Sequence, residues 1–372
     1  MTDADRRWME RALALAARAG RAAQPNPLVG AVLVRDGRRL GEGWHRGPGL
    51  PHAEREALAD ARAAGEDPAG ATLYVTLEPC HCHGRTPPCT EAILEAGVAR
   101  VVYALEDPNP VERGRSHRLL AEAGLDVAAG LLAGEAAALN AVYVHNQTEG
   151  RPHVVLKCAA TLNGMLARAD GSSRWISGPE SRREAHRLRA EATAVAVGAE
   201  TARMDRPRLD LRNWEAGGLL PRPVVFDTDP PRCPADLDWE GREPLLLVPE
   251  GAEVRAAEHA ARGWRVLPLP ADAEGRVLLE IALPTLLGEG LSSLLVEGGG
   301  RLLSAFLRSG LWERWELVLA PTLFADDGRP FWSGAVELGG LRVAGVARRG
   351  DDVQLTLLPA AGGAPDAAAG EA

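Results

Sequence analysis

The sequence predicts an α/β protein built as two domains in series. Three observations predict it. The chain has 372 residues, more than one ordinary domain needs. Each half alternates short apolar, β-branched runs with segments of helical periodicity, the order that lays helices on both faces of a sheet. Between the halves lies a polar stretch, Asn146-Gln147-Thr148-Glu149-Gly150-Arg151-Pro152, which reads as a connector. The expected layout is a first domain over residues 1–146, a linker over 147–152, a second domain over 153–359, and a disordered tail of small residues over 360–372.

The elements follow in order. Residues 7–19 have helical periodicity and 29–34 (VGAVLV) read as a strand. Residues 53–64 (AEREALADARAA) are rich in strong helix formers. Residues 71–77 (ATLYVTL) are apolar and β-rich, and 90–96 (TEAILEA) read as a helix. A strand at 100–105, a helix at 117–123 and a short strand at 125–128 complete the first half. The second half opens with a strand at 153–160 and a charge-laced helix at 179–192. Strands follow at 194–198 and 223–227, then a helix at 281–288, a strand at 293–296, a helix at 301–308 and a strand at 315–320. A last strand at 353–358 is expected to close the sheet.

Composition narrows the function classes. The formal net charge is −9 with no long basic run, which disfavours non-specific nucleic-acid binding and favours a free small molecule. No run of eighteen apolar residues and no basic-then-apolar leader is present, so a membrane location is not expected. Five cysteines, an odd number, argue against a disulfide framework and for the reducing cytoplasm. Of 42 basic residues 41 are arginine, and Lys157 is the single lysine. A lysine kept alone against that background marks a position where a flexible ammonium is needed and a planar guanidinium does not serve.

The most informative residues are Pro51-His52-Ala53-Glu54, Glu78-Pro79-Cys80 and Pro88-Cys89. One imidazole and two thiols make a three-ligand zinc set. Three protein ligands leave one tetrahedral position for water, whose pKa a zinc ion lowers to roughly 7. Glu54, two residues from the histidine, is the expected proton shuttle. His-x-Glu followed by Pro-Cys and a second Cys is the pattern of zinc deaminases, which more often place two residues between the cysteines; here eight intervene. His81, Cys82 and His83 lie beside the set, so a closed structural zinc knuckle is the alternative reading at this point.

Both halves together resemble the bifunctional riboflavin-biosynthesis deaminase–reductase family, from about residue 8 to about residue 358. The first half carries the resemblance in PNPLVGAVLV (25–34), GEGWH (41–45), PHAE (51–54), TLEPC (76–80), HGRTPPC (83–89) and DPNP (107–110). The second carries it in LKCAATLNG (156–164), SRWIS (173–177), LRA (188–190), VGAETARMDRPRL (197–209) and VEGGGRLL (296–303). The resemblance implies a three-layer domain similar to cytidine deaminases, then a domain similar to dihydrofolate reductase. It implies hydrolytic removal of an amino group from a phosphoribosylated diaminopyrimidine, then NADPH-dependent reduction of the ribosyl group to ribityl; a homo-oligomer is expected separately, because two-domain enzymes of this size often pair. By the family pattern His52, Cys80 and Cys89 hold zinc and Glu54 is catalytic; Lys157 and Glu297 are the further catalytic residues expected, Lys157 donating to the opened sugar while Glu297 positions it or relays a proton. Ala159, Trp175, Thr201, Asp205, Thr228 and the run Gly299, Gly300, Arg301, Leu302 and Leu303 meet NADPH. Asn26, Ser173, Arg189, Leu209, Arg212 and Glu297 meet the substrate. Two physical expectations attach to these. The glycine run opening a helix lets a phosphate approach the backbone, and Arg189 and Arg212 grip the substrate phosphate.

Three positions depart from the family pattern. Asn163 stands where Asp is common, Ser116 where Gly is common, and Cys82 lies inside the metal loop, where it is placed to compete for zinc or to oxidise. Asn163 keeps a rival reading open, a deaminase whose second domain only binds. A nucleic-acid-editing deaminase is disfavoured by the acidic balance and the wide cysteine spacing, and a zinc-stabilised scaffold predicts that Glu54 is dispensable.

Overall fold

The computed structural model describes residues 1–360 apart from 84–86, 173–174, 213, 215–218, 231, 326 and 333–339. Of the tail expected at 360–372, residues 361–372 lie outside the described residues. The chain forms two compact units, Met1–Gly150 and Arg151–Ala372.

The first unit contains α1 (Asp3–Ala16), β1 (Gly30–Arg35), β2 (Arg38–Trp44), α2 (Ala53–Ala63), β3 (Thr72–Leu77), α3 (Cys89–Glu95), β4 (Arg100–Leu105), α4 (Arg115–Glu122), β5 (Asp126–Ala129), α5 (Ala133–Leu139) and α6 (Ala141–Glu149). The sheet order is β2-β1-β3-β4-β5, antiparallel across β2, β1 and β3 and parallel from β3 to β5. Alternation along the strands splits the core in two. Leu33, Leu73, Val75 and Val101 face α2, α3 and α4, while Val32, Tyr74 and Val102 face α1 and α5. This is a three-layer α/β/α domain.

Local chemistry sets the ends of these elements. α1 starts at a capping box: the Thr2 amide donates to Asp5 Oδ2 at 2.7 Å and the Asp5 amide to Thr2 Oγ1 at 3.2 Å. β2 lacks the apolar signature of a strand, and the glycines that hide it are what place α2. A Cβ at Gly41 would lie 2.3 Å from the Ala57 carbonyl oxygen, and one at Gly43 2.4 Å from Glu56 Cβ. Only glycine lets α2, with His52 as its N-cap residue and Glu54 in its first turn, lie this close to the sheet.

The second unit contains β6 (His153–Thr161), β7 (Met165–Ala167), α7 (Pro179–Glu191), β8 (Ala194–Gly198), α8 (Ala199–Asp205), β9 (Arg222–Phe226), β10 (Leu245–Pro249), α9 (Ala257–Ala261), β11 (Arg265–Leu269), α10 (Leu279–Gly288), β12 (Ser293–Val296), α11 (Gly300–Ser309), β13 (Arg314–Ala320), β14 (Arg329–Pro330), β15 (Leu341–Arg349) and β16 (Asp352–Pro359). Nine strands form one sheet in the order β11-β10-β9-β8-β12-β6-β13-β16-β15, parallel from β11 to β13 and antiparallel at β16 and β15. α10 and α11 cover one face around the fully buried Phe306, and α7 and α8 cover the other.

The structure corrects the sequence reading at two points. Residues 147–149 of the expected linker are the last turn of α6, and the chain turns at Gly150, whose φ of 65° is the left-handed helix stop that glycine tolerates. The strand at 352–359 does not close the sheet, because β15 pairs outside it. β15 was not predicted, since most of its side chains are exposed and it has no buried face to write an alternating pattern.

Candidate active sites

In the first unit, three elements deliver the metal-ligand set. His52 stands at the N-cap of α2, Cys80 beyond the end of β3, and Cys89 is the first residue of α3. His52 Nδ1 lies 3.4 Å from Cys80 Sγ and 3.3 Å from Cys89 Sγ, and the three ligand atoms lie within 4.8 Å of one another. A tetrahedral zinc with ordinary Zn–N and Zn–S distances requires N···S of about 3.5 Å. The donor set therefore fits zinc with small adjustments.

The electrostatics agree. The first proton leaves the sulfur pair easily: Cys80 is brought down to about 4, first by the hydrogen bond from Cys89, with His52 and the Cys89 backbone amide (3.4 Å) adding to it. Cys89 is driven up by that same hydrogen bond and by burial, so the second proton needs a metal's charge to expel it. His52 is pushed up by its hydrogen bond to Cys80. Glu54 is buried beside the ligands, and burial raises its pKa first, with Cys80 adding. Burial favours the protonated form of this carboxyl, which suits a group that takes up and returns a proton.

Asn26 Nδ2 donates to His45 Nε2 at 2.9 Å, and the His45 ring meets the His52 ring edge-on at 5.3 Å. Asn26 is thus connected to the metal site through a histidine that sequence reasoning named only within a motif. Glu78 was missed as a functional residue. It is buried, and it accepts from the Asp107 amide (3.2 Å), the Gly114 amide (2.9 Å), Ser116 Oγ (2.7 Å) and the His117 amide (3.3 Å). One carboxylate therefore pins the 107–117 segment two residues before a metal ligand. Ser116, a departure from the family pattern, adds one of these bonds. Asp107, bonded to Tyr143 Oη at 3.0 Å, is raised to about 6 by burial.

In the second unit, a cavity of about 1330 Å³ opens at the carboxyl ends of β8 and β12, where open α/β sheets bind ligands. Single drug-sized ligands occupy roughly 300–1,000 Å³, so this cavity has room for a dinucleotide and a second molecule. Lys157, Ala159, Trp175, Arg189, Thr201, Asp205, Arg212, Glu297, Gly299, Gly300, Arg301 and Leu302 line it. Leu303 and Leu209 are buried in the core and do not. Thr228, exposed after β9, does not line it either. Ser173 lies outside the described residues. Sequence reasoning missed Arg182, His186 and Arg329 on the cavity wall; nothing in an arginine-rich sequence distinguishes such an arginine from a solvated one.

The charges inside this cavity are already partnered. Arg189 Nε and Nη2 donate to Glu297 at 2.6 and 2.8 Å, and Nη1 donates to the Asp210 carbonyl at 3.1 Å. The paired edge of the guanidinium is thus occupied by a carboxylate within the protein. Burial pushes Glu297 up, but the Arg189 charge and hydrogen bonds, with Lys157 and His186 adding, bring it down to about 2. It stays ionised near neutral pH, which suits a group that positions Lys157. Arg212 is half exposed and paired with Asp210 at 2.9 Å. Trp175 is 71% exposed, with the Arg182 guanidinium 4.7 Å from its ring centroid, a flat platform at the cavity mouth.

The glycine run has a packing reason of its own. A Cβ at Gly300 would lie 2.5 Å from the Pro330 carbonyl oxygen, and the Gly299 amide donates to Thr201 Oγ1 at 3.1 Å. These contacts hold the start of α11 against the cavity, with backbone amides available to a phosphate. Asn163 is absent from the cavity wall. Its Nδ2 donates to the Phe324 carbonyl (2.8 Å), and its Oδ1 accepts from Thr161 Oγ1 (2.7 Å) and the Phe324 amide (3.2 Å). At this departure from the family pattern the side chain ties the end of β6 to the Phe324 loop, away from the residues that line the cavity.

Comparison with known proteins follows the same division. Residues 2–105 match the family model of the cytidine and deoxycytidylate deaminase zinc-binding region, and residues 152–355 match that of the RibD C-terminal domain. The chain is 41% identical to the riboflavin biosynthesis protein RibD of Aquifex aeolicus, over 87% of this chain and 88% of that protein. It is 39% identical to the protein of that name from Escherichia coli, over 87% and 90%. Among solved structures it superposes on Acinetobacter baumannii RibD, form 1, with a TM-score of 0.85 and 34% identity over 96% of this chain and 99% of that one. It also superposes on a diaminohydroxyphosphoribosylaminopyrimidine deaminase/5-amino-6-(5-phosphoribosylamino)uracil reductase from Thermotoga maritima, with a TM-score of 0.75 and 32% identity over 96% and 99%.

Proposed function

The chain belongs to the RibD family of riboflavin biosynthesis proteins and is a bifunctional enzyme, a zinc-dependent deaminase joined to an NADPH-dependent reductase; from that premise we propose which residues carry each step. The deaminase occupies the first unit, which ends at Gly150 just after α6, and the reductase the second, from Arg151 through β16. The first site removes the amino group of 2,5-diamino-6-(5-phosphoribosylamino)pyrimidin-4-one. The second reduces the ribosyl group of the product to ribityl.

In the first site His52, Cys80 and Cys89 hold zinc, which supplies an activated water when bound. Glu54 would move the two protons of the attacking water in turn, the first to the ring nitrogen and the second to the departing amine, which leaves as ammonia. Its burial suits the task, because a raised pKa balances accepting and releasing the proton. Asn26, oriented by His45, meets the pyrimidine. In the second site NADPH supplies a hydride when bound. The amides at the start of α11 and the Trp175 platform hold and orient the dinucleotide, with Ala159, Thr201 and Asp205 along its length. Lys157 reaches the opened sugar and donates a proton to its oxygen. The Arg189–Glu297 pair orients Lys157 and the ribose hydroxyls, and Arg212, with Arg182, meets the substrate phosphate.

The observation that carries this reading is the His52 nitrogen within 3.4 Å of both sulfurs, with a buried acid beside the set that is not one of the three ligands. The test is one reaction mixture containing the diaminopyrimidine ribosyl phosphate. Ammonia is followed first without NADPH, and then absorbance at the nicotinamide band after NADPH addition. A zinc chelator is expected to stop the first signal. With deaminated intermediate supplied, it leaves the second unchanged. Ammonia release that ignores the chelator contradicts the reading.

Two further assignments belong here. The enzyme acts in the cytoplasm: its five cysteines form no disulfide, and among the described residues no helix is long and apolar enough to cross a membrane. It assembles as a homo-oligomer, and support comes from the last strand of the larger sheet, β15, where Val343 and Val346 are 55% and 67% exposed. Sedimentation at micromolar concentration distinguishes a paired chain from a single one.

A further inference from the structure

A second cluster of metal-ligating side chains stands beside the first and takes no part in the chemistry derived above. His81 Nδ1 lies 2.6 Å from Glu112 Oε2, and Cys82 Sγ lies 4.0 Å from His81 Nδ1 and 3.3 Å from its Nε2. One ligand atom from each of the three lies within 4.8 Å of the others. We propose that His81, Cys82 and Glu112 form a second site for a thiophilic divalent cation of the zinc class, distinct from the His52–Cys80–Cys89 set.

The geometry asks for a small opening at Glu112 and one side-chain rotation at Cys82. A tetrahedral zinc bound through Nδ1, a carboxylate oxygen and a thiolate requires N···O of about 3.3 Å and N···S of about 3.5 Å. The observed N···O distance of 2.6 Å opens by well under an ångström, and the Cys82 side chain, whose sulfur lies 3.3 Å from Nε2 and 4.0 Å from Nδ1, rotates to the Nδ1 side of the ring. The charges also suit. One thiolate and one carboxylate neutralise a divalent ion, and a neutral imidazole completes the set, the N, O and S mixture that zinc accepts. Two of the donors are held in advance. The His81 backbone amide donates to the same Glu112 oxygen at 2.9 Å, and the His81 and Glu112 side chains are only 16% and 13% exposed. Glu112 lies in the 107–117 segment that Glu78 pins. With three ligands, and with the carboxylate lent by a separate loop, this site binds more weakly than the catalytic one and fills after it. Its occupancy clamps the 107–117 segment to the metal loop.

The test is equilibrium dialysis of the zinc-loaded full chain against added Zn2+, beside the variants Cys82→Ser and Glu112→Gln. The parent chain is expected to take up one further equivalent. Each variant is expected to bind that equivalent at least tenfold more weakly and still release ammonia. A parent chain that stops at one equivalent overturns the proposal, and so does a Cys82→Ser variant that takes the second equivalent as tightly as the parent. Should a variant fail to fold, Co2+ added to the zinc-loaded parent decides: a sulfur-to-cobalt charge-transfer band of single-thiolate intensity supports the site, and its absence contradicts it. Because metal uptake is read directly, failure here leaves the deaminase reading standing. Failure of the deaminase reading shows instead as lost ammonia release with metal still bound.

Discussion

The two active sites are built in opposite ways. The zinc site draws its ligands from residues 52 to 89, and its chemistry lies in three unusual side chains brought to one point. The reductase cavity draws on residues from 157 to 330, and much of its wall is backbone and internally paired charge. A metal needs particular atoms at particular distances. An organic cofactor needs space, a flat surface and amides that any residue can supply.

This difference can be tested from the largest effect downward. Cys89→Ser removes one of the three donors, and zinc content and ammonia release should both fall to background while the reductase keeps its turnover. A deamination rate near that of the parent would break the contrast. On the other side, Lys157→Arg should lower NADPH oxidation by about 10²-fold or more with deamination intact. Unchanged NADPH turnover would show that the lone lysine is incidental.

Breaking the Arg189–Glu297 pair probes the cavity's own architecture. Glu297→Ala leaves a guanidinium buried without its carboxylate, at a cost of about 3–5 kcal/mol in the second unit. Calorimetry should show that unit melting earlier and the first unit unmoved. The pH dependence carries a matching sign. Glu297 is depressed in the folded state, so the stability it contributes is present above the ordinary carboxylate range near 4.5 and is lost as pH falls toward about 2. The variant should lack that acid-side loss. Asn163→Asp is the smallest step. It removes the donor to the Phe324 carbonyl at an exposed position and should cost less than about 1 kcal/mol, with NADPH turnover within about twofold.

Legibility from sequence follows the same contrast. His52, Glu54, Cys80 and Cys89 were readable because few physical roles require that set in that order. β1, β3, β4 and β12 were readable because buried strands are written as apolar runs. β2 was not, since the glycines that admit α2 erase its pattern, and β15 was not, since it has no buried face. Glu78 escaped because a buried carboxylate satisfied by four loop donors leaves no signature beyond a single acidic letter. The reductase residues entered through family resemblance, and the structure shows how two of them are paired. Arg189 is committed to Glu297, and Glu297 is held ionised.

Glu54→Gln separates metal holding from proton transfer most directly, because it keeps the shape and removes only the charge of a side chain that is not a ligand. Ammonia release should fall by about 10²- to 10⁴-fold. Zinc content should equal the parent's, and thermal stability should be no lower, since a buried carboxylate is replaced by a neutral group. Release at the parent rate with zinc still bound would contradict the account.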